Sequence, residues 1–184
     1  SVLRGLDRLF GTALGGELLS RLGAGIGSDV PFFFTEGAAL VSGRGEHVEA
    51  VRPRRDLALA LVFPGFPVST AEAYGLLDRS RPDDSSEEDL GPEAIEAAYR
   101  SDPRTWTFAN SFEPWVGAAH PRIPALRDSL LRLGASFAAM SGSGSTVFGV
   151  FSDPEACELA CRRLGEEGER ARSVLPLARL PELH

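Results

Sequence analysis

No lysine occurs in the 184-residue sequence, and all 19 of its basic residues are arginine. A mechanism that sets a compact ammonium charge on a phosphate therefore cannot be completed within this chain, because a guanidinium is a planar fork and not an equivalent point charge. Cysteine is almost as scarce. Cys157 and Cys161 stand four apart with no histidine near them, too few soft ligands for a zinc site, and buried packing is expected of both. His47, His120 and His184 are scattered and suggest no metal cluster. No stretch reaches the roughly 18 to 20 consecutive apolar residues of a membrane span, and the first residues lack the basic-then-apolar order of a secretion signal. A cytoplasmic location without membrane attachment is expected. Positive charge is outweighed as well: 26 acidic side chains against 19 basic ones give a formal net charge of −7, which argues against a nucleic-acid backbone as partner. A small-molecule partner is expected instead.

What is present suffices for a globular chain of one large domain or two small ones, since 43% of the residues are apolar and can fill a core at this length. The opening "SVLRGLDRLFGTAL" puts Leu3, Leu6, Phe10, Ala13 and Leu14 on one helical face. Its apolar pattern is already running by the second residue, with Ser1 as the one available cap, and a severed helix is expected. "GELLSRLGAG" predicts a second helix, stopped by its glycines. "AALVS" and "EHVEAV" alternate like short strands joined by "GRG", and "DLALALVFPG" reads as a buried strand. "STAEAYGLLD" starts a helix, with Ser69 and Thr70 as cap candidates and Glu72 in the first turn. The segment "RSRPDDSSEEDLG", Arg79 to Gly91, is nearly devoid of apolar residues and predicts a mobile loop.

Downstream, "PEAIEAAYRS", "NSFEPWV" with Asn110 as a cap candidate, and "PALRDSLLRLGA" predict three helices. "SFAAMSGSGSTVFGVF" then predicts strand, loop, strand. "SDPEACELACRRLGEEG" is a helix with Ser152 or Asp153 as cap and Pro154 in the first turn, and "ARSVLPLARL" is a closing strand. Strands interleaved with helices from Leu57 onward fit an α+β layer of helices on an antiparallel sheet.

Three features could carry chemistry. In "SGSGS", Ser141 to Ser145, glycines allow backbone N–H groups to converge on an anion and serines add donors; a flexible turn between strands is the alternative. Asp29, in "GAGIGSDVPFFF", is either a carboxylate held partly desolvated beside an apolar wall or a turn cap. Tyr74 and Thr70 lie one turn apart on one helix face, and the ring either stacks on a planar ligand or packs half-buried.

Taken in order, "GSDVPFFFTEGAALVSGRGE", "FPGFPVSTAEAY", "NSFEPWV" and "GASFAAMSGSGSTVFGVF" resemble the GHMP kinases from Ser1 to about Arg163. The resemblance implies a two-domain α+β fold: a partial N-terminal domain of the ribosomal-protein-S5-domain-2-like type over residues 1–55, and a ferredoxin-like α/β-sandwich C-terminal domain over 56–184. Within the family, "STAEAY" favours members acting on cytidyl diphosphate methylerythritol in non-mevalonate isoprenoid biosynthesis, and implies ATP-dependent phosphorylation of its 2-hydroxyl with Mg2+ accompanying the nucleotide. Asp29 matches the catalytic aspartate, expected to take the hydroxyl proton behind a wall of phenylalanines. Tyr74 matches the ring that stacks on cytosine and Thr70 a neighbouring substrate contact. Gly142, Ser143 and Gly144 match the loop beside substrate and phosphates, as backbone donors. A monomer or weak homodimer is implied.

The departures from the family pattern are the missing ATP loop "GLGGGSS", expected before the opening helix, and the missing early lysine, aromatic and histidine positions. The chain is therefore expected to be a C-terminal fragment, inactive alone, with apolar surface exposed over residues 1 to about 55. The competing readings are another GHMP kinase, of homoserine or mevalonate type, and a non-catalytic ligand-binding protein of the same fold.

Overall fold

In the run "ALALVF", Ala58, Ala60 and Val62 are fully buried while Leu59, Leu61 and Phe63 are half-buried, the alternation of a central strand covered unequally on its two faces. The computed structural model describes residues 2–35, 37–45, 47–80 and 91–177. In chain order the elements are α1 (Val2–Phe10), α2 (Gly15–Ala24), a 3-10 turn (Pro31–Phe34), β1 (Ala38–Ser42), β2 (His47–Val51), β3 (Ala58–Phe63), α3 (Thr70–Ser80), α4 (Pro92–Arg100), a 3-10 turn (Pro103–Thr105), α5 (Glu113–Ala119), α6 (Arg122–Arg132), β4 (Phe137–Met140), β5 (Val147–Phe151), α7 (Pro154–Glu166) and β6 (Arg170–Val174). Residues 81–90, the heart of the segment expected to be a mobile loop, lie outside the described residues, as do Ser1 and the end of "ARSVLPLARL". No helix among the described residues is long and apolar enough to cross a membrane. Two compact units result, one holding Ser1–Arg55 with the segment from Pro176, the other Asp56–Leu175.

The second unit is a four-stranded antiparallel sheet in the order β4-β5-β3-β6. Register puts Ala60 opposite Gly149 and Gly149 opposite Ala138, and Val62 opposite Val147 and Val147 opposite Met140. These residues form the face on which α6 covers β4 and β5 while α7 covers β3 and β6. Gly149 permits the close approach: a Cβ there would sit 3.1 Å from Leu130 Cδ2 and 3.2 Å from Ala135 Cβ. On the opposite face Phe137 and Phe148 join Trp106, Phe108 and Tyr99 in an edge-and-stack cluster, so the end of α4 and the loop after it supply that cover.

Helix α7 begins as its sequence predicts, with the Asp153 carboxylate accepting from Glu155 N–H at 3.0 Å and Ala156 N–H at 3.3 Å, and Pro154 in the first turn. Cys157 from this helix is fully buried and accepts a hydrogen bond from Ser173 Oγ at 3.3 Å. Desolvation, reinforced by its neighbour Cys157, pushes the Cys161 thiol up to about 11. Both sulfurs are packing groups here.

The first unit has little core. α1 and α2 are joined by a turn in which Asp7 Oδ1 accepts from Leu14 N–H at 2.9 Å and Thr12 Oγ1 at 2.6 Å, contacts that hold its carboxyl below the ordinary range. β1 and β2 form a hairpin with Ala38 opposite Val51 and Ser42 opposite His47. α1 buries no residue, and Val2, Leu9, Phe10 and Ile26 are each more than 70% exposed. The apolar surface expected over this region is present.

Candidate active site

The loop between β4 and β5 is shaped by two left-handed glycines, Gly142 at φ +55° and Gly144 at φ +95°. Its ends are tied by Ser141 N–H donating to Thr146 O at 2.8 Å, and its interior by Gly144 N–H donating to Ser141 O at 3.0 Å. The Gly144 amide is thus turned inward. Among the described residues the Gly142 and Ser143 amides donate to no partner, which leaves two adjacent N–H groups on a left-handed bend, the geometry of an anion-binding nest. Ser145, nearly buried, anchors the far side by donating from Oγ to the Phe66 carbonyl.

Helix α3 meets this loop at its first residue: Thr70 Oγ1 lies 3.4 Å from Ser143 Oγ. The helix starts there because Ser69 Oγ accepts from Glu72 N–H at 3.1 Å, the N-cap expected from "STAE". One turn on, Tyr74 is 53% exposed, steadied edge-on against Phe112 with centroids 5.0 Å apart. Glu72 Oε1 lies 3.1 Å from His120 Nε2, and His120 stacks on Phe66 at 5.0 Å. The structure therefore brings Thr70, Ser143 and the two loop glycines together, with Tyr74 on the same helix face as Thr70.

Behind the loop lies a set of contacts that sequence reading missed. Asn110 Nδ2 donates to both Met140 O and Gly142 O, each at 2.8 Å, while its Oδ1 accepts from Phe112 N–H at 3.0 Å. Glu113 Oε2 accepts from Met140 N–H at 2.8 Å, and its Oε1 pairs with Arg127 Nη1 at 2.9 Å. Arg127 also bonds Asp128, the first of the contacts that strengthen its hold on its proton. The pattern N-x-x-E in "NSFE" has the form of a capping box. That was the available signal, and it says nothing of a partner about thirty residues away. A cavity of ≈ 570 Å³ lined by Phe108, Pro114, Ala118 and Ala138 opens beside this set.

Asp29 belongs to the first unit. It sits in a turn between α2 and the Pro31–Phe34 3-10 turn, and two glycines place it: a Cβ on Gly23 would meet Val30 Cγ1 at 2.5 Å, and one on Gly45 would meet Ser28 O at 2.6 Å. Its carboxylate has one hydrogen-bond partner among the described residues, Ser28 Oγ at 3.4 Å. The side chain is exposed, and Phe33, four residues on, is 52% exposed. Of the phenylalanines that follow, Phe32 and Phe33 cross at 76°, Phe34 lies under the Arg4 guanidinium, and Phe33 and Phe34 line an apolar cavity of ≈ 430 Å³ with Leu3, Leu6, Ile26 and Val30.

Residues 93–170 match the family model for the C-terminal domain of GHMP kinases. The chain is 40% identical over 172 residues to the 4-diphosphocytidyl-2-C-methyl-D-erythritol kinase of Treponema pallidum, covering 90% of this chain and 59% of that protein. It is 39% identical over 171 residues to the enzyme of the same name from Nitratidesulfovibrio vulgaris, covering 92% and 60%. Among solved structures, a 4-(cytidine 5'-diphospho)-2C-methyl-D-erythritol kinase superposes with a TM-score of 0.71 at 29% identity, covering 94% of this chain and 60% of that one. A homoserine kinase from Cytophaga hutchinsonii superposes with a TM-score of 0.66 at 14% identity, a likeness of fold, over 95% of this chain and 61% of that one. The chain thus spans about 60% of the length of the relatives it matches.

Proposed function

We propose that the chain, whose residues 93–170 match the C-terminal domain of GHMP kinases, is part of an ATP-dependent kinase of that family that phosphorylates the 2-hydroxyl of 4-diphosphocytidyl-2-C-methyl-D-erythritol, in non-mevalonate isoprenoid precursor biosynthesis. Residues 1–55 are assigned to its N-terminal domain and 56–184 to its C-terminal domain. The observation that carries the reading is the 3.4 Å contact of Thr70 Oγ1 with Ser143 Oγ, which ties a helix bearing an exposed tyrosine to a loop bearing free amides. A cytidyl diphosphate offers a flat base and a phosphate pair, the two chemistries this pairing accepts.

In this reading the Tyr74 ring stacks on cytosine, where its 53% exposure leaves a face open, and the Thr70 hydroxyl contacts the substrate beside it. The Gly142 and Ser143 amides donate to phosphate oxygens, and Gly144 holds the bend that aims them. Asp29 accepts the proton of the 2-hydroxyl as its oxygen bonds to the γ-phosphorus, and the bond from that phosphorus to the bridging oxygen breaks, releasing ADP. ATP is the phosphate donor of GHMP kinases. No three metal-ligating side chains converge among the described residues, so they do not form a cage for the magnesium that the family likeness implies. A cytoplasmic, monomeric or weakly dimeric enzyme completes the assignment.

The test is phosphoryl transfer by the natural full-length protein, with ATP and three acceptors offered in turn: the cytidyl substrate, homoserine and mevalonate. Turnover of the cytidyl substrate alone is expected. Preference for either of the other two, or no turnover with any, would overturn the proposal.

A further inference from the structure

Met140 is the last residue of β4 and the entry to the 141–145 loop, and both of its backbone polar groups are taken from outside the sheet. Asn110 Nδ2 holds its carbonyl and Glu113 Oε2 its N–H, each at 2.8 Å, and the same Asn110 amide holds the Gly142 carbonyl two residues on, also at 2.8 Å. With the orientation of two carbonyls and one N–H fixed, the peptide planes between Met140 and Gly142 have little freedom, and the unpaired Gly142 and Ser143 amides inherit their direction. Glu113 is itself braced by Arg127 at 2.9 Å, and Asn110 by Phe112 N–H at 3.0 Å. Both Asn110 N–H donors, and each oxygen of the two side chains, thereby have a partner within the protein.

We propose that Asn110 and Glu113 are positioning residues that clamp the 141–145 loop from behind, so that its Gly142 and Ser143 amides face the phosphates of the substrate. The identity of the substrate rests on the kinase reading; the clamp does not. An Å-scale displacement of a phosphate cradle costs on the order of 100-fold in rate, so loss of the brace should be felt in turnover before it is felt in nucleobase binding.

The sequence contains one asparagine and no glutamine, so an amide NMR spectrum of the 184-residue chain holds a single side-chain NH2 pair, that of Asn110. Hydrogen exchange of the loop's bonded amides, Ser141 N–H to Thr146 O and Gly144 N–H to Ser141 O, is measured in the wild type and in Asn110→Asp, Glu113→Ala and Glu113→Gln, and that of the Asn110 pair in the wild type and the two Glu113 variants. Asn110→Asp keeps the acceptor for Phe112 but sets a carboxylate against two carbonyls. Exchange of the loop amides is expected to rise about tenfold in Asn110→Asp and Glu113→Ala, and the Asn110 pair to shift in Glu113→Ala. Glu113→Gln, whose amide oxygen still accepts from Met140 N–H, should restore most of the protection. In the full-length protein, kcat should fall about tenfold or more while KM for the cytidyl substrate stays within about threefold. Unchanged loop exchange in both Asn110→Asp and Glu113→Ala would overturn the clamp, as would a KM effect with kcat intact. Should Glu113→Ala fail to fold, Asn110→Asp against Glu113→Gln decides the matter. A wild type that does not phosphorylate the cytidyl substrate removes the kinase reading, and the exchange data then judge the clamp by themselves.

Discussion

Replacing Gly144 with alanine should destabilise the second unit by more than the same change at Gly142, and the structure says by how much. At φ +95° an alanine occupies backbone space reserved almost wholly for glycine, at a cost of about 1 to 3 kcal/mol. Its Cβ would also lie 2.8 Å from Met140 Sδ, roughly 1 Å inside an ordinary contact. Met140 is only 2% exposed, so its thioether cannot swing into solvent and must leave its rotamer, for about 0.5 to 1.5 kcal/mol more. Together these give about 2 to 4 kcal/mol. Gly142, at φ +55° with nothing within 4 Å of a Cβ, pays only the ordinary left-handed penalty of about 1 to 2 kcal/mol. At about 4 °C per kcal/mol for a domain of this size, Gly144→Ala should lower Tm by about 8 to 16 °C and Gly142→Ala by about 4 to 8 °C. Circular dichroism and calorimetry on the two variants and the wild type measure both. Equal midpoints for the two variants would refute the reasoning, since the Met140 contact and the extreme φ are all that separates them.

Asp29→Asn in the full-length protein should abolish turnover while substrate affinity stays within about threefold, because the amide keeps its shape but cannot take the proton; steady-state kinetics with an undiminished kcat would remove Asp29 from the chemistry. Tyr74→Ala should weaken binding of the cytidyl substrate by about 1 to 3 kcal/mol and, the ring being half in solvent, shift stability by about 0.5 kcal/mol or less; calorimetric titration showing unaltered affinity would exclude the stack. Cys161, with its thiol at about 11, should alkylate with iodoacetamide at pH 8 about 100-fold more slowly than a cysteine of ordinary pKa. Since this pKa is raised by folding, the stability tied to the protonated thiol is complete below the ordinary thiol range and is lost as pH climbs through about 11, which denaturant titrations at pH 8 and pH 10.5 would reveal as a lower midpoint at the higher pH.

Local chemistry in the sequence foretold those elements whose signals are local. Asp153 and Pro154 open α7, Ser69 caps α3, and the glycines of "GRG" turn β1 into β2, each through groups within a few residues. The strand, loop and strand around Ser141 were legible because the apolar period changes there. Sheet order was not, since β3 pairs with β5 and β6 across helical insertions and no residue of "DLALALVF" names its partners. The two 3-10 turns went unread, and with the first of them the disposition of Phe32 to Phe34. At the candidate site the glycines, Thr70 and Tyr74 stood out by type and spacing. Asn110 and Glu113 did not, because Asn110 makes the local contact its pattern suggests, to Phe112 N–H, while the reach of the two side chains to Met140 and Gly142 is a matter of distance, not pattern.

The grip on Met140 also bears on how the sheet ends. β4 is an edge strand, and an edge strand invites another chain to extend it. At Met140 the invitation is withdrawn: the N–H and C=O that a foreign strand would pair with are already engaged by Glu113 and Asn110. The outermost strand is plugged at this end by the protein's own side chains, a guard against runaway sheet growth from molecule to molecule.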